Sequence, residues 1–289
     1  MVRSLSRDRS GMSNLAAFAV LILAIALILG VYYVYLVPQA APEPLRAQER
    51  DSVTVEYVGT FENSELVFDT SVITVAQDNA SYPKAFSFGW RDRWQPLQFA
   101  VGDGSMIRGF DQGVRGLAVW ESRTLVVPYA DGYGAADPSK ISTRRLLESV
   151  PVRLTMNATH FLATYRTSAV SGINVTDPVW GWTAVVSVAG SIVTVMNSPV
   201  PDQAIRPYNL WDATVVSIDD SANGGVGEIL VQHRLDPTMI DRIGGKVDGQ
   251  DFFLSDVDLI EGSYTLDFNR QVAGRSLLFQ VTLKTLLRP

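Results

Sequence analysis

Apolar residues are distributed along this chain in three distinct ways. From Leu15 to Val37 they run without a charge for 23 residues, long enough at about 1.5 Å per residue to cross a hydrocarbon layer of about 30 Å. Further on they alternate with polar residues. In DSVTVEYVGTF (51–61), Val53, Val55 and Tyr57 fall on one side and Thr54, Glu56 and Val58 on the other, and RTLVVPY (123–129) and SLLFQVTLKTL (276–286) also predict strands, the latter with Phe279, Val281 and Leu283 on one face. A third pattern occupies MIRGFDQGV (106–114), where Ile107, Phe110, Val114 and Leu117 recur at helical spacing. Gly109, Gly113 and Gly116 lie on a second face of that short helix, although each glycine costs a helix roughly 1 kcal/mol against alanine. A bare face that lets a sheet approach closely would offset that cost.

Two weaker patterns lie in the middle of the chain. WTAVVSV (182–188) and WDATVVSI (211–218) share a tryptophan start and a β-branched run, and each leads into another strand-like stretch, as two related hairpins would. STRRLLESV (142–150) predicts a short helix. No long amphipathic helix is predicted beyond the apolar run.

The apolar run reads as a transmembrane helix, preceded by residues 1–14 and followed by a proline- and charge-rich tether at 38–50. Arg3, Arg7 and Arg9 against a single Asp8 place the N-terminus in the cytoplasm and the bulk of the chain outside, in a single-pass cell-membrane topology, with Tyr32, Tyr33 and Tyr35 at the outer interface. A cleaved signal peptide is the competing reading, but its apolar core is usually only about 7–15 residues.

The first 37 residues hold three basic and one acidic residue of 24 and 30, leaving 21 and 29, a net charge of −8 outside, which argues against a nucleic-acid partner. Without cysteine there is neither a disulfide framework nor thiolate chemistry. The sequons at Asn79, Asn157 and Asn174 fit an exterior location. His160 and His233 stand in unrelated contexts without HExxH spacing, and no GxSxG elbow is present, so neither a metal site nor a serine hydrolase is expected.

Five stretches occur in an order that resembles the FKBP-type peptidyl-prolyl cis-trans isomerases: VTVEYVGTF, LVFDTS, PLQFAVGDGSMIRGFDQGVRGL, VPYADGYG and LDFNRQVAGRSLLFQVTLKTL. The resemblance is to the SlyD-like branch, with a domain inserted in the flap, and to membrane-anchored archaeal members. It implies an α+β, β-dominated fold: an FKBP-like antiparallel half-barrel wrapped on a short helix, built from 51–134 and 262–289, with an all-β insert at 135–261. It also implies a prolyl isomerase without a cofactor, acting on proline-containing unfolded or partly folded polypeptides, and an insert that binds those clients as a chaperone does. By the same resemblance Tyr57, Phe68, Asp69, Phe99, Ile107, Phe110, Tyr133 and Phe279 carry catalysis, and Leu97 and Met106 bind substrate. Phe110 takes the pocket floor, where many relatives have tryptophan. The Ile107 N–H and the Tyr133 hydroxyl would hold carbonyls flanking the proline, and Asp69, at the rim, would orient the tyrosine cluster or the twisted carbonyl.

Those residue types suit that chemistry. Rotating a peptide bond needs no nucleophile; its barrier of about 18–20 kcal/mol is lost resonance, and a pocket that binds the twisted form best lowers it. Taken alone, Phe68, Phe99 and Phe279 would serve equally as strand core, Tyr57 and Tyr133 as core tyrosines, and Asp69 as a turn cap. A catalytically feeble chaperone or surface-interaction module on the same scaffold is the alternative. Tyr82, Phe86, Phe88, Trp90 and Trp94, in an expanded segment at 72–95, are expected to pack over the barrel edge, with a sticky surface the alternative; Trp180, Trp182, Trp211 and Phe161 of the insert are also expected to pack, with client binding their competing role.

Overall fold

The computed structural model describes residues 10–36, 43–247 and 249–289. The expected N-terminal segment 1–14 and tether 38–50 therefore lie partly outside the described residues. The chain divides into two units, Met1–Leu45 and Arg46–Pro289.

In the first unit, an α-helix at Ser10–Val31 continues as a wider π turn at Tyr32–Leu36. Side chains from Asn14 to Tyr35 are exposed on every face, and the stretch is long and apolar enough to cross a membrane. A helix apolar all round suits lipid or a signal sequence rather than a water-facing surface.

The second unit opens with Ala47 already buried, its N–H donating to Leu117 O at 2.9 Å, so the predicted tether ends inside this unit. Five strands form its first sheet: β1 (Ser52–Phe61), β2 (Val67–Thr70), β3 (Leu97–Ala100), β4 (Ser122–Val127) and β5 (Leu277–Leu287). Their order is β2-β1-β5-β4, with β3 also on β1, and every pairing is antiparallel. Alternation is strict along β1, with Val53, Val55, Tyr57, Gly59 and Phe61 turned inward, as a sheet with one buried face requires.

The predicted short helix forms at Arg108–Val114 and buries Phe110 and Val114 against that face. A Cβ on Gly109 would sit 2.6 Å from Val127 Cγ1, and one on Gly113 2.5 Å from Leu125 Cδ1. These two glycines let β4 close on the helix. Gly116 does not share this role: nothing lies near its missing side chain, and its φ of +79° marks a left-handed turn after the helix.

Between β4 and β5 the chain builds three four-stranded sheets. The consecutive strands Ile141–Arg145, Leu147–Pro151 and Arg153–Asn157 each take the edge of a different one. The helix expected at 142–150 is therefore absent. Its backbone groups pair instead with Ser263–Asp267 and Glu228–His233, with Leu146 and Val150 buried, so tertiary pairing overrides local propensity. Both tryptophan-led segments are strands, Thr183–Ala189 and Ala213–Asp219, each in a hairpin, with Ile192–Asn197 and Glu228–His233 respectively.

Two expectations for the insert change. It is not all-β, because Ala158–Tyr165 is an α-helix, N-capped by the Asn157 side chain and buried through Phe161. Its strands also extend past 261: Ser263–Asp267 pairs with Gln250–Asp258 and Ile141–Arg145, and the chain rejoins the first sheet only at Leu277.

Candidate active site

Five rings from five elements meet on the inner face of the first sheet. Phe110, from the short helix, lies 5.1 Å from Phe279, 5.8 Å from Tyr57 and 6.0 Å from Phe99. Phe279 stands edge-on to Phe68 at 5.6 Å. These offset contacts are the arrangement aromatic quadrupoles favour. Gly59, on β1, makes room for it: a Cβ there would lie 2.8 Å from Phe68 Cζ and 2.9 Å from Phe279 Cε1. Leu97, Met106 and Ile107 pack against this cluster and are only partly buried. The Ile107 N–H has no acceptor among the described residues.

Asp69 joins the bowl through hydrogen bonding. Its Oδ2 accepts from the Tyr57 hydroxyl at 2.7 Å, and its Oδ1 is paired with the Arg91 guanidinium, which also reaches the Tyr57 oxygen at 3.4 Å. Burial pushes the Tyr57 hydroxyl well above its ordinary value of 10.0, and the neighbouring Asp69 charge adds to the effect. Tyr57 therefore stays neutral and donates. Arg91 lies in the expanded segment at 72–95, where no alternation or motif signalled it.

That segment packs only in part. Phe88 is buried and stacks on Trp94 at 6.0 Å, whereas Trp90 is 66% exposed and Tyr82 and Phe86 are exposed as well. Trp90 escapes burial because it stands edge-on at the outer side of the Phe88–Trp94 pair. Trp180, Trp182, Trp211 and Phe161 are all buried in the insert's cores.

Tyr133 stands apart from the bowl, at its mouth. With Phe68 and Asp69 it borders a cavity of about 810 Å³, whose lining also includes Lys140, Gln250, Asp251 and Arg270. The Tyr133 hydroxyl has no protein partner among the described residues, and burial raises its pKa. The Arg270 guanidinium lies over its ring at 4.9 Å. A larger cleft, of about 1050 Å³, is lined by Glu62–Leu66, Pro237 and Arg275 and touches none of the expected site residues.

The wall carrying Arg270 is firmly held. Gln271, 4% exposed, accepts from Ser87 N–H and donates to Asp241, and Arg275 grips the same Asp241 carboxylate at 2.7 and 2.8 Å. Asn269 ties the two crossings together by exchanging hydrogen bonds with the Asp137 backbone at 3.0 Å.

This geometry can hold a small apolar ring in an aromatic bowl with free donors at its edge. Residues 43–148 match the model of the family FKBP-type peptidyl-prolyl cis-trans isomerase. The chain carries an FKBP-type domain. The match stops short of Phe279, which β5 returns to the FKBP-type bowl after the insert. Among similar proteins is the short-type peptidyl-prolyl cis-trans isomerase of Methanocaldococcus jannaschii, 33% identical over 37% of this chain and 60% of that protein. FK506-binding protein 2 of Yarrowia lipolytica is 33% identical over 33% of this chain and 53% of its own length. Peptidyl-prolyl cis-trans isomerase FPR2 of Saccharomyces cerevisiae is 33% identical over 31% and 53%. The chain thus spans about half to three-fifths of the length of these relatives.

Proposed function

We propose that this protein is a peptidyl-prolyl cis-trans isomerase acting on proline-containing unfolded or partly folded polypeptides, held at a cell membrane by its apolar helix, with its N-terminus cytoplasmic and Arg46–Pro289 outside. The bowl of Tyr57, Phe68, Phe99, Phe110 and Phe279, in a chain matched over 43–148 to this family, is the observation that carries the reading.

The proline ring enters over Phe110, with Leu97 and Met106 at the sides. Apolar walls exclude the water that stabilises the planar, more polar amide. The Ile107 N–H and the Tyr133 hydroxyl, neither paired among the described residues, bind carbonyls on either side of the twisting bond and so fix the chain around it. Asp69 does not attack. It holds Tyr57 and Arg91 in one arrangement, and its charge faces the nitrogen side of an imide that loses resonance as it turns. The insert contributes Lys140 and residues 250–253 to the lining of the cavity, where an extended client would lie. Because its tryptophans are buried, client contact falls to exposed groups at the mouth, Trp90 and Arg270 among them.

The decisive assay is refolding of a proline-limited protein alongside isomerisation of a proline tetrapeptide. Asp69→Ala and Tyr133→Phe should each lower kcat/KM by about tenfold, a loss of roughly 1.4 kcal/mol of transition-state stabilisation. If the intact protein accelerates neither reaction, yet suppresses aggregation of the unfolded chain, the chaperone reading replaces this one. Protease added to intact cells should reach Arg46–Pro289, and protection would reverse the topology.

A further inference from the structure

The charges around the cavity mouth do not cancel. Five ionic side chains line it: Asp69, Arg91, Lys140, Asp251 and Arg270. Asp69 is paired with Arg91, and Asp251 with Lys246 at 3.3 Å. Arg270 makes no ion pair among the described residues, and neither does Lys140, although the charge of Asp137, a carboxylate outside the cavity lining that accepts from the Ser139 N–H and hydroxyl, acts on it. In a chain of net charge −6, the mouth of this site is left cationic.

Arg270 is also placed with some precision. Its guanidinium stacks over the Tyr133 ring, its carbonyl accepts from Ala273 N–H at 2.8 Å, and the flanking Asn269 and Gln271 are anchored as described above. A planar fork of donors held in this way suits a carboxylate better than a mobile lysine would. We propose that Arg270, supported by Lys140, makes the site favour polypeptides with an acidic side chain adjacent to the proline. This rests on the reading of the bowl as a proline site and specifies its substrate class.

The test uses the full chain in detergent and tetrapeptides carrying Glu, Ala or Lys immediately before the proline and, in a second set, immediately after it. Both kcat/KM for isomerisation and affinity by fluorescence titration are measured. In at least one position Glu should exceed Lys by roughly two- to fivefold, the scale of an exposed ion pair, and high salt should shrink the ratio toward one. Arg270→Glu should invert the order, with thermal melts verifying that the variant is folded. Equal values for Glu and Lys, or a ratio that Arg270→Glu does not move, overturns the proposal. Binding separates it from the activity itself. A Glu preference in affinity without acceleration would sink the isomerase reading and sustain the acidic subsite; acceleration without charge preference would do the reverse.

Discussion

The FKBP-type part and the insert use the same kind of residue to different ends. In the first, Tyr57, Phe110 and Phe279 stand edge to face around a bowl whose mouth is open, and the donors there, Ile107 N–H and Tyr133 hydroxyl, have no partner among the described residues. In the insert, Trp182 and Trp211 are 1% and 2% exposed, and both indole N–H groups are satisfied, by Asn197 Oδ1 and His233 Nδ1, each at 2.9 Å. A buried aromatic with every polar atom matched stabilises its surroundings. An aromatic beside unmatched donors and a cavity can bind something. Composition does not separate the two cases; hydrogen-bond accounting does.

Trp182→Ala and Phe110→Ala should break this comparison most sharply. Both should cost about 3–5 kcal/mol of stability, as deletion of large buried rings does, measured by urea unfolding. Only Phe110→Ala should also abolish tetrapeptide turnover per folded molecule. If Trp182→Ala lowers that turnover equally, the insert's core shapes the bowl and the two regions are not independent.

Gly109→Ala tests how tightly the bowl's floor is held. Alanine would gain up to about 1 kcal/mol in helix propensity, but its Cβ would overlap Val127, a stiff β-branched side chain, and overpacking typically costs about 1–3 kcal/mol. A net loss of stability in thermal melts is expected, with reduced turnover because the helix carrying Phe110 is pushed off the sheet.

The smallest effect is a pH dependence that both regions share. Burial raises Tyr57 in the FKBP-type part and Tyr264 in the insert, each next to a carboxylate, Asp69 and Glu148. A raised folded value means that the unfolded chain releases the proton first, near pH 10, while the folded protein keeps it. Stability is therefore fully present below about pH 10 and falls as pH rises beyond it. Unfolding midpoints across this range should decline, and Tyr57→Phe or Tyr264→Phe should each flatten part of the decline. A decline unchanged by both would assign it to other groups.

Much of the FKBP-type part could be read from local pattern. The period-2 alternation of β1 and β5, the 3-4-3 spacing around Phe110 and the uninterrupted apolar run each correspond to an element found in the structure, because each depends on contacts made by a single face. The ordered motifs added Asp69 and Tyr133, whose placement no periodicity indicates. Arg91 and Arg270 escaped notice. Their roles come from partners 22 and 137 residues away in the chain, and a charged residue in a loop has the same local signature whether it faces solvent or a site.

The sequence by itself determined three strands of the first sheet, at 51–61, 123–129 and 276–286, the bare helix face at Gly109 and Gly113, and which stretch could enter a membrane, since sterics and burial act there within a few residues. Only the tertiary structure decided that 142–150 would be strand rather than helix, that Ser263–Asp267 belongs with the insert, and that four charged groups pair off to leave Arg270 and Lys140 facing the cavity. Those outcomes depend on backbone pairing and ion pairing between distant segments, whose geometry exists only once the whole chain has folded.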